Sequence, residues 1–406
     1  MLNSNFIAER FRSVRARSLP SRRRAVARRA STGPRARLAA RELDSGRRRL
    51  SDDGLLVYGA CGFTGRLIVQ QALARGLRPT LAGRDAEQLQ ALARPNQLNY
   101  RVASVHDAGA LGRMLQGVNV LLNAAGPFRL TAEPLARACL ENGVHYLDIG
   151  GEYQTIELLA GLNQAALERR CMILASVGFD VVASDCMAAW LKQRLPEARS
   201  LWIGISGLNA ISRGSAQTVL DDDGRGVAVR RNGRLEFVNP GALQRDFDFG
   251  HGPRRATAVS WVDVASAHYT TGIPDITVYY EETALMRLGQ RMSRYTSRMS
   301  EVPALRVLQG AALRMMPAGP SDEQRAAGKA TVVVQAQDAR GEYRQVRLQT
   351  PEVYSFTATT SVAIADLVLG GRIEPGFRTP ARLLGAGYVL TLPGVTHELL
   401  PSQPAA

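Results

Sequence analysis

Three glycines set three residues apart, Gly59, Gly62 and Gly65, follow the apolar run 55–58. Beyond them Leu67, Ile68, Ala72 and Leu73 recur at helical spacing, and Gly76 stands where a helix would stop. Strand, glycine turn and helix in that order make a cradle for a phosphate. Gly59 permits the tight turn, Gly62 lets an anion approach the backbone, and Gly65 lets helix and strand pack closely. The first N–H groups of the helix then face the anion at the positive end of its dipole. Cys61, Phe63 and Thr64 complete this turn. The spacing is G-x-x-G-x-x-G, not the commoner G-x-G-x-x-G, and the flanking strand and helix supply the context a glycine triplet lacks alone. The plainer alternative is a tight turn that holds no ligand.

A second set, Gly83-Arg84-Asp85, ends a strand predicted at 79–82. An acid at this point accepts from the ribose hydroxyls of NAD, whereas an arginine accommodates the 2′-phosphate of NADP. Gly83 and Arg84 therefore favour NADP (NADPH). A solvated surface arginine is the bland alternative, and Asp85 keeps the acid reading open. A third set, Asn123, Ala124, Ala125, Gly126 and Pro127, ends the apolar stretch 118–125, where it would line the nicotinamide side of a crevice. Hydride transfer asks the protein to place the nicotinamide against a substrate and to move one proton. The candidate proton carriers are Tyr146, Asp148, Tyr153 and Asp180. Each also has an ordinary reading, as a core tyrosine or a turn-capping aspartate. Arg213 and Gln217 begin a later helix and are candidates to face a substrate, against a simple solvated helix start.

These residues need elements to hold them. Strand-like runs at 55–58, 79–82, 98–105, 118–125, 145–149 and 171–177 alternate with helical stretches, including 110–116, 131–142 and 155–169. That alternation predicts an α/β fold with an N-terminal Rossmann-type doubly wound parallel sheet. The pattern then changes. Residues 201–207, 227–230, 234–238, 257–264 and 276–280 read as strands without long helices between them, 283–316 as helix, and 330–337 with 343–350 as a hairpin. This second part is expected to be an antiparallel α+β substrate domain. Residues 354–369 return to helix, and Thr379-Pro380 has the pattern of an N-cap with proline at the first helical position. The expected division is an Arg-rich disordered extension at 1–52, a nucleotide-binding domain at 53–185, a substrate domain at 186–350 and a helical segment at 351–406 packing back on the first domain.

Composition narrows the function classes. The net charge of +15 arises almost wholly from residues 1–50, which hold fifteen Arg and three acids; the remainder carries only +3. The body thus lacks the broad basic surface of a nucleic-acid binder. The extension reads as a disordered basic tail, an organellar transit peptide or sequence added by an upstream start. Lys occurs only at 192 and 329, so arginine richness reflects a bias of the whole chain. No apolar run approaches the roughly 18–20 residues of a membrane span. The four cysteines and five histidines show no metal-ligand spacing, which predicts reduced thiols, no metal and a cytoplasmic setting.

In order along the chain stand GACGFTGR (59–66), LAGRD (81–85), NAAGPF (123–128), HYLDIGGE (145–152) and GFD (178–180). This set resembles the saccharopine dehydrogenase-like oxidoreductases, including the trans-acting enoyl reductases; GPSDEQR (319–325) and FRTPA (377–381) extend the likeness over about residues 54–400. The resemblance implies an NADP-binding Rossmann domain, an inserted substrate domain and a returning C-terminal segment. Two departures stand out: Val181-Val182-Ala183 replaces a small-polar and proline run after GFD, and Ala103-Ser104 stands where the family often has an acid. The function expected is an NADP(H)-dependent oxidoreductase that reduces an enoyl or carbonyl group of a small-molecule or carrier-bound acyl substrate, with a homodimer as one assembly. The alternatives are a saccharopine-type amino-acid dehydrogenase, which would need convergent arginines for its carboxylates, and a non-catalytic NADP-binding accessory or scaffold protein.

Overall fold

The computed structural model describes residues 54–207, 211–220, 225–282 and 315–401; the extension at 1–52 and nearly all of the helix expected at 283–316 lie outside them. Strands β1 (Leu55–Tyr58), β2 (Thr80–Gly83), β3 (Tyr100–Val102), β4 (Val120–Asn123), β5 (His145–Asp148) and β6 (Met172–Leu174) form a parallel sheet in the order 6-5-4-1-2-3. Every residue of β1 and β4 is buried, as expected of central strands covered on both faces. The order reverses between β1 and β4. The connections leaving their carboxyl ends therefore diverge to opposite faces and open a crevice there. The fold is α/β with a Rossmann-type doubly wound sheet.

The second sheet has nine strands among the described residues: β7 (Ala198–Ser206), β8 (Val227–Arg231), β9 (Arg234–Val238), β10 (Gln244–Asp248), β11 (Pro253–Ala258), β12 (Asp275–Glu281), β13 (Lys329–Asp338), β14 (Tyr343–Pro351) and one C-terminal strand. It is mixed. β7 and β12 run parallel at its centre, and the other pairs are antiparallel, so the expectation of a purely antiparallel sheet is corrected. The parallel pair arises because β12 follows a helix, Asp263–Thr271, that carries the chain back across the sheet. The strand expected over 257–264 ends at Ala258, and the last two residues of that stretch, Asp263 and Val264, begin that helix. The alternation of that stretch does read as a strand, but Val264, Ala265 and Ala267 are buried where the helix packs on the helix Phe179–Arg194. Tertiary burial overrides the local pattern.

The chain's last part closes on the first sheet. β15 (Gly376–Arg378) adds to β6 in parallel, while β16 (Thr396–Leu400) edges the second sheet against β14. The helix Val353–Leu369 lies against the helix Phe63–Ala74 that follows the glycine turn. The helix Phe179–Arg194 runs unbroken through residue 185, the expected domain limit, and packs on both β13 and the helix Val353–Leu369.

One buried ion pair ties the two sheets' elements. Arg230 on β8 is 5% exposed and pairs with Glu157 of the helix Tyr153–Gly161. Its Nε donates to the Val264 carbonyl at 2.6 Å, and Nη1 to the Gly233 carbonyl at 2.7 Å. Tyr269 Oη donates to the second oxygen of Glu157 at 2.7 Å. Removing one partner leaves a poorly solvated charge and two unmet carbonyls. Arg230→Met is expected to lower stability by about 2–4 kcal/mol, near the lower end for a buried pair because Glu157 keeps some contact with water. Urea denaturation measures it; a loss within about 0.5 kcal/mol, the range of an ordinary surface change, would contradict the assignment.

Candidate nucleotide and proton-transfer site

The glycine turn is built from backbone contacts that leave no space for side chains. Gly59 has φ +81°, and a Cβ there would lie 2.7 Å from the Ala125 nitrogen. A Cβ on Gly65 would lie 2.2 Å from the Gly59 carbonyl oxygen. The turn is thereby pressed between the loop after β4 and the first turn of its own helix. Gly62 is the N-cap of the helix Phe63–Ala74, with no side-chain cap. Its exposed position leaves the first-turn N–H groups, which have no intrahelical acceptor, turned to the crevice mouth.

The neighbouring helix start is different. The helix Phe128–Asn142 begins after Pro127, and there Glu152 accepts from the Phe128 and Arg129 N–H groups at 2.8 Å each. A carboxylate already occupies that positive end. Of the helices that start beside the switch point after β1 and β4, the one following the glycine turn is thus fitted to an anion from outside. Glu152 was legible only as part of a motif, not as a cap.

At the end of β2, Asp85 is the N-cap of the helix Ala86–Asn96. Its Oδ1 accepts from the Gln88 N–H at 3.0 Å and its Oδ2 from Gln88 Nε2 at 2.7 Å. The Gln88 backbone N–H holds this carboxyl below its usual range. Each oxygen accepts one hydrogen bond from Gln88, which anchors the carboxyl as a helix cap beside Arg84. Arg84 is exposed beside it, within electrostatic reach of Asp85 and of the Tyr58 hydroxyl at the end of β1. The donor set fits a nucleotide carrying a ribose phosphate: uncapped amides for the bridging phosphates and an exposed guanidinium at the end of β2.

Asn123, Tyr146 and Asp148 form a fully buried network at the ends of β4 and β5. Asn123 Oδ1 accepts from the Ala125 N–H at 3.0 Å, and its Nδ2 donates to Thr131 Oγ1 at 3.1 Å and Tyr146 Oη at 3.2 Å. Tyr146 Oη donates to Asp148 Oδ2 at 2.9 Å. Asp148 Oδ1 accepts from the Gly150 and Ser176 N–H groups at 3.0 and 2.8 Å. Burial pushes both Tyr146 and Asp148 up from their ordinary values. Their polar atoms are engaged inside the protein, so the geometry does not bring these two catalytic candidates to a substrate. It gives them the task of holding the loops after β4, β5 and β6 in register. Tyr153 is likewise buried.

Asp180 is placed differently. It stands in the first turn of the helix Phe179–Arg194, just beyond β6, and is half-buried. A Cβ on Gly151 would fall 2.6 Å from its Oδ2, so the carboxyl rests on the backbone of the loop after β5. The preceding Gly150 backbone supports the Phe128 ring, which in turn borders Gly126. Asp180 and residues 123–127 thus lie at or beyond the carboxyl ends of β6 and β4, the strands on either side of β5. Burial raises its carboxyl to about 6.

Several supporting residues were invisible in the sequence. Thr357 Oγ1, far along the chain, accepts from the Phe179 N–H at 3.0 Å and caps the helix that carries Asp180. Trp261 Nε1 donates to the Asp180 carbonyl at 3.2 Å. Phe63 meets Tyr354 edge-on, with ring centroids 5.2 Å apart, and packs on the Gly319 backbone. Arg213 Nη2 donates to the Met316 carbonyl at 2.6 Å, which ties it to that same segment; the side chain of Gln217 lies outside the described residues. Among the described residues no group of acids, cysteines and histidines could hold a metal, and no helix is long and apolar enough to cross a membrane.

Known proteins share parts of this arrangement. Residues 55–172 match the family model described as the saccharopine dehydrogenase NADP binding domain. A human saccharopine dehydrogenase-like oxidoreductase is 29% identical over 161 residues, which is 35% of this chain and 38% of that protein. A trans-acting enoyl reductase of Mycobacterium leprae is 35% identical over 155 residues, 36% of this chain and 37% of that protein. The matched stretch therefore spans less than two fifths of the length of these curated relatives. Apo saccharopine dehydrogenase (L-Glu forming) from Saccharomyces cerevisiae superposes with a TM-score of 0.56 over 86% of this chain and 99% of that one, at 12% identity, a likeness of fold.

Gly65→Ala tests the glycine turn. A methyl group there must displace the Gly59 carbonyl or the helix start, and NADPH binding is expected to weaken by at least about tenfold through loss of the phosphate cradle. Fluorescence titration measures this, with circular dichroism to show that the fold remains; unchanged affinity would remove the turn from the binding site.

Proposed function

We propose that this chain, whose residues 55–172 match the saccharopine dehydrogenase NADP binding domain, is an NADP(H)-dependent oxidoreductase that reduces a carbonyl or enoyl group. The observation that supports this best is the placement of Asp180. It is a partly exposed carboxyl at the carboxyl end of the parallel sheet, with a proton affinity near the working range and, among the described residues, no cation beside it. When bound, the reduced nicotinamide supplies a hydride. The chain's residues do the rest. The glycine turn and Arg84 hold the phosphates, residues 123–127 set the face presented to the substrate, and Asp180 delivers the proton that balances the hydride.

The same reading takes the substrate to be a small molecule or a carrier-bound acyl chain, and the setting to be cytoplasmic, in keeping with four free cysteines. The near-neutral body gives nucleic acid no footing. A saccharopine-type substrate is less well supported, because Arg213, the arginine read as a candidate to face a substrate, is turned to the Met316 carbonyl. A purely accessory NADP-binding role separates from this reading by turnover.

Two experiments test it. In Arg84→Ala, NADPH affinity is expected to fall about 10-fold to 100-fold, the scale of losing one or two charge-assisted hydrogen bonds, while NADH affinity stays the same. Equal losses for both nucleotides would place the 2′-phosphate elsewhere. In Asp180→Asn, kcat for reduction is expected to drop about 10²-fold to 10⁴-fold with NADPH binding intact. The sign of the pH dependence follows from the acid role: Asp180 donates only when protonated. The rate should therefore be level below its value of about 6 and fall with rising pH above it, and the substitution should abolish that limb. A full rate in Asp180→Asn would remove it as the donor.

A further inference from the structure

The segment that ends β11's return and starts the helix Asp263–Thr271 grips the helix bearing Asp180 at two points. Trp261 Nε1 donates to the Asp180 carbonyl at 3.2 Å. Two residues later Asp263 Oδ1 accepts from Ser184 Oγ at 2.6 Å. Ser184 lies one turn beyond Asp180, and its hydroxyl also reaches the Val181 carbonyl at 3.2 Å and the Asp180 carbonyl at 3.5 Å. Asp263 is 0% exposed, and its second oxygen has no hydrogen-bond partner. An ionised carboxylate in that state would be strongly disfavoured. We propose that Asp263, acting with Trp261, is a positioning residue that clamps the first turn of the helix Phe179–Arg194 and so keeps the Asp180 carboxyl seated on Gly151 at the crevice.

This inference rests on the reading of Asp180 as the proton donor, but its test does not depend on turnover. The acids that face this helix turn are Asp263 from the neighbouring helix and Asp185 on the same helix, which is tied to the Ala381 N–H at 2.9 Å. From the β5 side come Gly151 and then Glu152, whose carboxylate is taken by the Phe128 and Arg129 amides. From the C-terminal helix comes Thr357. Burial holds Asp263 neutral, well above the ordinary carboxyl value. A neutral carboxyl and an amide are alike in shape and both accept from Ser184, so Asn should replace Asp at this point. A hydrocarbon should not.

The full chain, labelled with ¹³C at aspartate carboxyls, provides the measurement; the resonance that vanishes in Asp180→Asn identifies Asp180. In Asp263→Leu the clamp is lost, water reaches the first turn, and the Asp180 titration midpoint is expected to move down by about one pH unit or more towards the free carboxyl value. In Asp263→Asn it should stay within about 0.3 unit, well inside the usual spread between folded proteins. If Asp263→Leu does not fold, Ser184→Ala cuts the same hydrogen bond and should shift the midpoint in the same direction. An unchanged midpoint in Asp263→Leu or Ser184→Ala would overturn the clamp. A shift in Asp263→Asn as large as that in Asp263→Leu would also overturn it, because charge and not position would then be at work. Failure of Asp180→Asn to alter turnover would sink the donor assignment alone and leave this titration to be judged on its own.

Discussion

A contact between backbone atoms, without room for a methyl group, governs this structure. The Gly65 Cα faces the Gly59 carbonyl so closely that a Cβ would stand 2.2 Å from its oxygen, and Gly59 is itself packed against the Ala125 nitrogen. Three segments are fixed by that packing: the end of β1, the loop after β4 and the helix Phe63–Ala74. The direction of the helix then fixes where its free amides point. The same turn places Phe63 between Tyr354 and Gly319, so the phosphate end of the crevice also abuts elements from the second half of the chain. Interiors this dense transmit small displacements. A change at the glycines would therefore be felt at Tyr354, whose hydroxyl accepts from the Ser212 N–H at 2.6 Å.

Buried polar groups form the second layer of control. Asn123, Tyr146, Asp148 and Ser176 connect three successive strand ends through hydrogen bonds that close among themselves. Ser176 adds a bond from its hydroxyl to the Gly150 carbonyl at 2.6 Å and adopts a left-handed φ of +57°. An unmet polar atom in such a place costs about 1–3 kcal/mol, so each partner constrains the next. The loops after β5 and β6 are held by this lattice, and those loops carry Gly151 and Asp180. The shape of the crevice surface thus depends on groups that never reach it.

The sequence disclosed the parts of this architecture whose cause is local. Gly59, Gly62 and Gly65 announce a tight turn because no other residue fits it, and the apolar run at β4 announces a strand buried on both faces. Thr379-Pro380 marked a helix start, which the structure has. What it hid depends on distant contacts. The stretch 257–264 alternates like a strand, yet β11 ends at Ala258 and a helix begins at Asp263, where Val264, Ala265 and Ala267 pack against another helix. Tyr146 and Asp148 have the chemistry of proton carriers, but only the fold shows that their polar atoms face one another. Asp85, adjacent to Arg84, gave no sign in the sequence that it caps the helix Ala86–Asn96 through Gln88. Thr357 and Trp261 gave no signal at all, since each acts on a helix start remote in the chain.

The distinction among the carboxyls follows from the same physics. Asp148 has three hydrogen-bond donors and no solvent, Glu152 has two helix amides, and Asp185 holds the Ala381 amide at the start of the helix Pro380–Leu384. Each is bound to the framework by at least one donor, although Asp185 Oδ1 has no hydrogen-bond partner and burial raises that carboxyl to about 6 as well. Asp180 has the desolvation without the donors: its cause of elevation is burial alone. A carboxyl raised in that way stays a usable acid near neutrality, because no strong acceptor role holds it in the ionised form. Its neighbours bind differently: Trp261 and Ser184 reach the Asp180 main-chain carbonyl, while its side chain rests on Gly151. The backbone of this first helical turn is thereby fixed independently of the carboxyl.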